Sequence, residues 1–371
     1  MDDDDQAGAN QAGDEQVADD QVVMEMRNVA QAIAWQADHA AKNSAPATGR
    51  VITAFLPLLE GKTQCGARMR TWPGLTLEDA MPLRLTGGLH HLLLSGDDTR
   101  LAPVYAGAVT DQAEIDALVL AMVQDHDARL LGWFEGPPQT NEGGRSSGIM
   151  AGLLWLAQRL GPRFELNEIG SSAGINTMME RFAFDLGGVS AGAGGSPMRI
   201  APLWRGPPPP PGPVEIDAIQ GCDLAPIDLT DKAAALRLKS YVWPDTPVRL
   251  QRIDTAIALA AENPPQVARA DAAKWVSARL VADQTQGTTR ALFHSIVWQY
   301  LPPKSRAQID ADMAAAGARA SSDKPLAWVQ VETNRQTFRH EIRARFWPGG
   351  EGWTLLGEAH AHGAWIDWYG V

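Results

Sequence analysis

The chain has 371 residues, 45% hydrophobic and 20% charged, with 35 glycines, 25 prolines and two cysteines, a composition expected of a soluble globular protein of one large or two modest domains. Its formal charge is −12, but eight carboxylates (Asp2, Asp3, Asp4, Asp5, Asp14, Glu15, Asp19, Asp20) fall in the first twenty residues, leaving 36 acids against 32 bases. A body without basic excess argues against bulk binding of nucleic acid or an anionic membrane.

Residues 1–20 are too polar and like-charged to bury a face and are expected to form a disordered acidic tail. No basic-then-apolar leader and no apolar run of about 20 residues is present, and Cys65 and Cys222 show no paired metal spacing. The expectation is a cytoplasmic chain with reduced thiols and no resident metal. From 21 to 160 the apolar residues recur at three-and-four spacing in VVMEMRNVAQAIAWQADHA, TLEDAMPLRLTGGLHHLLLSG, EIDALVLAMVQDHDARLLGWF and GGRSSGIMAGLLWLAQRLG. This predicts a helical N-terminal domain.

The pattern changes at FELNEIG, 164–170, which reads as a strand. After the tight turn SSAG, INTMMERFAFD reads as a helix. Residues 187–213, with GGVSAGAGGS and GPPPPPGP, predict an irregular surface excursion. Beyond it, VEIDAIQGCDL, QVARADAAKW, TTRALFHSIVWQYL and PLAWVQVET read as strands, the second running into a turn. LTDKAAALRLKSYV, PVRLQRIDTAIALAAEN and KSRAQIDADMAAAGAR read as helices, and EIRARFWPGGEGWTLLGEAHAHGAWIDW as a closing antiparallel hairpin. Residues 161–371 are therefore expected to form a mostly parallel sheet covered on both faces.

The most informative stretch is Glu168-Ile169-Gly170-Ser171-Ser172-Ala173-Gly174. A chain leaving a parallel strand for a helix presents unpaired N–H groups where open α/β sheets bind ligands. On this reading Gly170 makes the turn, Ser172 permits close approach, Gly174 packs helix on strand, and Glu168 accepts a hydrogen bond from a cofactor's polar end.

The pattern Glu-x-Gly-x-Ser-x-Gly resembles the acid-x-Gly-x-Gly-x-Gly turn of S-adenosylmethionine-dependent methyltransferases, with Ser172 in place of the middle glycine. QTNEGGR, NEIGSSAGIN, GCDLAPID, YVWPD, FHSIVWQYLPP and HAHGAW together resemble a bacterial family designated domain of unknown function number twenty-three thirty-two, over most of 70–371. That resemblance implies a Rossmann-like, methyltransferase-type fold and carries no activity. Methyltransferase sheets place an acid for the ribose hydroxyls after the second strand and one near the adenine after the next, which implies these roles for Asp223 and Asp271. Asp223 follows Glu168 by 55 residues, where a dinucleotide fingerprint places its acid about 20 on. The excursion at 187–213 would absorb the difference.

Other candidates surround the same cleft. Arg145, in QTNEGGR, suits the methionine carboxylate of the cofactor or an acidic substrate, with Asn141 and Glu142 beside it for substrate; Glu142 and Arg145 alternatively form a surface i, i+3 pair. On FHSIVWQYLPP, His294 is the candidate base, an imidazole being suited to proton transfer near neutral pH, while Tyr300 and Gln299 would orient the acceptor. His294 could equally be a satisfied core residue. His360 and His362 would face one side of a strand without a third metal ligand, and His90, His91 and Asp125-His126-Asp127 read as helix faces.

The expected reaction is methyl transfer from S-adenosylmethionine to a small-molecule acceptor, the helical part helping to choose it. Two alternatives use the same turn. A cofactor-sensing or interaction protein would keep the pocket without catalysis. A serine hydrolase would read Gly170–Gly174 as G-x-S-x-G, completed by Asp271 or Asp283 and His360 or His362, although such a sheet needs strands before its elbow.

Overall fold

The computed structural model describes residues 28–370 apart from 75, 77 and 78. The acidic segment 1–20 and the start of the helix expected from Val22 lie outside the described residues. The chain divides into two compact units, one running to Pro138 and taking in Trp243–Thr246, the other comprising Gln139–Val242 and Pro247–Val371.

In the first unit the regular elements among the described residues are helices: α1 (Val29–Lys42), α2 (Pro46–Thr53), α3 (Leu56–Glu60), α4 (Gln64–Arg70), α5 (Met81–Ser95), α6 (Ala102–Tyr105) and α7 (Gln112–Leu131). Side-chain caps fix their starts. Asn28 accepts the Ala30 amide at 2.8 Å and Asp111 the Glu114 amide at 2.9 Å, each worth about 1 kcal/mol. Asp127 of α7 accepts the Gln64 and Cys65 amides at 2.6 and 2.9 Å, capping α4. Asp245 of YVWPD accepts the Ala47 amide at 2.7 Å and the Thr48 hydroxyl at 2.5 Å, so that motif serves as a cap for α2. His126 lies 3.1 Å from Asp98 and His90 is buried, which gives both structural surroundings.

The second unit opens with α8 (Ser146–Leu160) and β1 (Arg163–Ile169), followed by β2 (Ala183–Leu186), β3 (Val189–Gly192), β4 (Arg199–Ile200), β5 (Leu203–Arg205) and β6 (Glu215–Asp223). Then come α9 (Lys232–Ser240), α10 (Pro247–Glu262), β7 (Val267–Arg269), α11 (Ala272–Val281), β8 (Thr289–Ser295), α12 (Pro303–Gly317), β9 (Leu326–Thr333), β10 (His340–Trp347), β11 (Gly350–Ala359) and β12 (Trp365–Trp368). They make a mixed α/β unit around a mostly parallel nine-stranded sheet of order β5-β12-β11-β10-β9-β8-β1-β6-β7. Strands β7, β6, β1, β8 and β9 run parallel, while β9–β12 form an antiparallel meander wider than the expected hairpin.

Alternation along the strands builds a core on each face. Phe164, Leu166, Ala291 and Phe293 pack with α8 on one side; Ile169, Cys222, Leu292 and Trp328 pack with α11 and α12 on the other. Every residue of β8 is buried, and full burial of a side chain such as Phe293 contributes about 1.5–3 kcal/mol. Gly152 of α8 is needed for the close approach, since a Cβ there would lie 2.7 Å from Val329 Cγ1.

Three expectations are corrected. INTMMERFAFD is not an α-helix but a 3-10 turn, Asn176–Arg181, leading into β2. Its apolar side chains Met178, Met179, Phe182 and Phe184 are all buried, together with the polar Asn176 and Thr177, so the segment enters the core instead of lying on it as an amphipathic helix. The stretch 187–213 holds three short strands: β3 and β4 flank β2 in a small sheet, and β5 extends the main one. Its glycines serve positive-φ turns at Gly187, Gly188 and Gly192 and do not prevent pairing. QVARADAAKW continues past its turn into α11.

Candidate active site at the carboxyl edge of the sheet

The parallel strands end together, and the meander brings further side chains to the same edge, because β10 starts beside the last residues of β9 and β11 ends beside the start of β10. Glu168, Asp223, Ser295, Glu332, His340 and the turn His360–Gly363 therefore share one rim. The chain crosses from the β6 side of β1 to the β8 side here, the switch point at which open α/β sheets bind ligands.

The turn after β1 is sharply bent, with φ +68° at Gly170, +53° at Ser172 and +73° at Gly174. Its amides are mostly spent within the protein, contrary to the expected row of free donors. Ser171 N donates to Cys222 O at 3.0 Å, Ser172 N to Asp223 Oδ2 at 2.9 Å, Gly174 N to Ser171 O at 2.7 Å, and Ile175 N to Asn141 Oδ1 at 2.8 Å. Gly170 faces Val297, whose Cγ2 would lie 2.3 Å from a Cβ, and Gly174 faces Pro265 and Val267 rather than a helix.

What the turn leaves open is acceptors. Glu168 is 2% exposed at the end of the central strand, and its Oε2 has no hydrogen-bond partner. Burial pushes its carboxyl up from 4.5 to about 8, against the pull of Ser171 and Asn176 side chains and helped by the Asp223 charge. Ser172 Oγ and Asn176 Oδ1 are likewise buried and without a partner. No histidine reaches Ser172 Oγ, so no Ser–His pair forms among the described residues. Asp283 belongs to the opposite end of the sheet, where its carbonyl accepts Arg290 Nη2 at 2.6 Å.

Asp223 also accepts the Ala225 amide at 2.8 Å, so it binds two turns together. Asp271 caps α11, accepting the Lys274 amide at 3.1 Å through Oδ1. Asn141 is occupied by Ile175, and Gln299 Oε1 accepts Arg335 Nη1 at 3.3 Å. Tyr300 is 69% exposed in the loop after β8.

His294 is fully buried and both ring nitrogens are used. The Trp328 indole N–H, a donor only, points at Nε2 at 2.9 Å, which puts the ring proton on Nδ1, 2.6 Å from Glu332 Oε1. The same Oε1 accepts the Val297 and Trp298 amides at 3.0 and 3.2 Å. His294 thus holds the loop carrying Gln299 and Tyr300, and is a positioning residue rather than an available base. His360 and His362 stand with ring centroids 5.4 Å apart, and among the described residues no group of three His, Cys, Asp or Glu side chains is placed to hold a metal.

Arg145 and Glu142 do not form the i, i+3 pair. Glu142 Oε2 accepts Arg249 Nε at 2.8 Å, with Arg252 Nη1 3.8 Å from Oε1. Arg145 is turned toward the last turn of the sheet, its Nε donating to Ala361 O at 2.8 Å. The sequence reading missed Arg249, Arg252, Glu332 and His340. The first two stand at i, i+3 in PVRLQRID, a spacing indistinguishable from an exposed helix face. Burial and then the Arg145 charge pull the His340 imidazole down to about 4.

Residues 30–368 match the family described as an uncharacterized protein conserved in bacteria (DUF2332), and the chain belongs to that family. No curated protein and no solved structure matches it. Among the described residues no helix is long and apolar enough to cross a membrane.

Proposed function

Starting from membership of the DUF2332 family, we propose that the chain binds S-adenosylmethionine at the carboxyl edge of the sheet and transfers its methyl group to a small molecule. The observation that carries this reading is Glu168: a buried carboxyl at the end of the central strand, one oxygen without a partner, beside a glycine turn and a switch point. The order β7-β6-β1-β8-β9 with an antiparallel neighbour beyond β9 supports a methyltransferase-type Rossmann arrangement, the helical unit being its N-terminal domain. The site fits a cationic ligand. Glu168 Oε2, Ser172 Oγ and Asn176 Oδ1 are acceptors that an ammonium group would satisfy; Asp223, ending β6, and Asp271, following β7, would take the ribose hydroxyls and the adenine end alongside the backbone amides they already hold.

Bound there, S-adenosylmethionine supplies an electrophilic methyl group. The chain's part is to hold, orient and exclude water: Glu168 gives up its proton to balance the ligand's charge, and the His294–Glu332 pair fixes the loop that bears Tyr300. The test is calorimetric titration of the full chain with S-adenosylmethionine and S-adenosylhomocysteine in buffers of different ionisation enthalpy, with ATP and NAD as controls. Micromolar binding of the first two alone, with proton release that disappears in Glu168→Gln, is the expected outcome; a folded chain that binds neither would end the proposal.

One observation favours the non-catalytic alternative: both nitrogens of His294 are occupied, which leaves acceptor deprotonation without the expected base. Cofactor binding without turnover across an acceptor screen would select it.

A further inference from the structure

Three guanidinium groups, Arg145, Arg249 and Arg252, act on one buried carboxylate, Glu142. That carboxylate is already committed, Oε2 to Arg249 and Oε1 to the Gly144 amide at 3.3 Å. Arg252 therefore keeps only the longer 3.8 Å approach, and its buried Nε has no partner. Arg145 has no ion-pair partner among the described residues. Its charge is felt by Glu332 and Glu168, but Oε1 of Glu332 is engaged by His294 and two loop amides, and burial keeps the proton on Glu168 up to about 8.

The two arginines hang from successive carbonyls of one turn, Arg145 Nε from Ala361 O and Arg252 Nη1 from His362 O at 3.3 Å. Nη1 and Nη2 of Arg145 are left without protein partners. Gly144 makes this possible, because a Cβ there would lie 2.6 Å from both Arg252 Nη1 and His362 O. Burial disfavours the charged form of both groups, and buried cations are costly without a counter-charge. An oxyanion, with two acceptor atoms for paired N–H donors, supplies it.

We propose that Arg145 and Arg252 form an anion-binding site that takes the carboxylate or phosphate group of the small-molecule acceptor. Naming the ligand an acceptor rests on the methyl-transfer reading; the anion site does not.

The test is calorimetric titration of the full chain with inorganic phosphate and, separately, succinate, at constant ionic strength with chloride as control. The expected result is saturable binding of at least one, the arm that binds distinguishing phosphate from carboxylate. Affinity should fall about tenfold or more in Arg145→Gln and Arg252→Gln and rise in Glu142→Gln, where the internal competitor is gone. If Arg145→Gln does not fold, the opposite responses of Arg252→Gln and Glu142→Gln carry the test, since loss of structure cannot strengthen binding. No saturation by either anion, or unchanged affinity in both arginine variants, overturns the inference. Anion binding without S-adenosylmethionine binding keeps the site and removes the methyl-transfer reading; the converse removes this inference alone.

Discussion

The Ser172 amide donates to Asp223 Oδ2 at 2.9 Å while Oδ1 receives the Ala225 amide, so one carboxylate joins the turn after β1 to the turn after β6. Asp223→Ala removes both hydrogen bonds and should cost about 1.5–3 kcal/mol, half of what two hydrogen bonds to a charged acceptor are worth when fully buried, because the group is partly exposed. Asp223→Asn, which keeps one acceptor oxygen, should cost less. Urea denaturation of the two variants checks the order, and equal stability of wild type and Asp223→Ala would contradict it.

Gly170→Ala should destabilise the fold by about 1–3 kcal/mol, through a positive φ and contact with Val297. Because Val297 lies in the loop that carries Tyr300, ligand affinity should fall together with the melting temperature. A variant with native stability would mean that Val297 yields.

Glu332 Oε1 serves a ring N–H and two amides. Glu332→Ala leaves the buried ring N–H and two part-buried amides without their acceptor, and a loss of about 2–4 kcal/mol is expected; Glu332→Gln, which retains the oxygen, should recover part of it. Chemical denaturation distinguishes them, and equal losses would deny the acceptor role.

The pH dependence of stability should carry two opposed signatures. Between pH 4.5 and about 8 the folded chain keeps a proton on Glu168 that the unfolded chain has released, so this group makes stability fall as pH rises. For His340 the unfolded chain holds the extra proton between about 4 and 6.5, so its contribution rises with pH there. The two oppose each other up to 6.5, above which the Glu168 decline continues to about 8. Melting temperature against pH should therefore lose its decline above 6.5 in Glu168→Gln and rise more steeply below it; an unchanged profile would refute the assignment.

The alternation of strands and helices was legible because the buried strands β8 and β9 centre on the apolar runs Ala291–Phe293 and Leu326–Val329. Glu168 was legible as an acid closing such a run before a glycine. The turn's internal hydrogen bonds were not, since they depend on Asn141 and Asp223, 34 and 51 residues from the amides they accept. Nor was the fate of the arginines: Arg145 and Glu142 have helix-pair spacing, but Arg249, 107 residues on, takes the carboxylate. His294 was placed on the right strand, yet its occupation depends on Trp328 and Glu332 from the neighbouring one, a pairing set by sheet register.

The main sheet ends at both sides on three-residue strands, β5 and β7. Pro207–Pro211 follow the first closely, and Pro264 and Pro265 precede the second. A residue without an N–H cannot extend a ladder, so an incoming strand from another chain would find at most a few donors at either side. A wide sheet of largely apolar strands is thereby guarded against edge-on self-association. The proline run works as a stop, and shortening it should promote aggregation before it affects the fold.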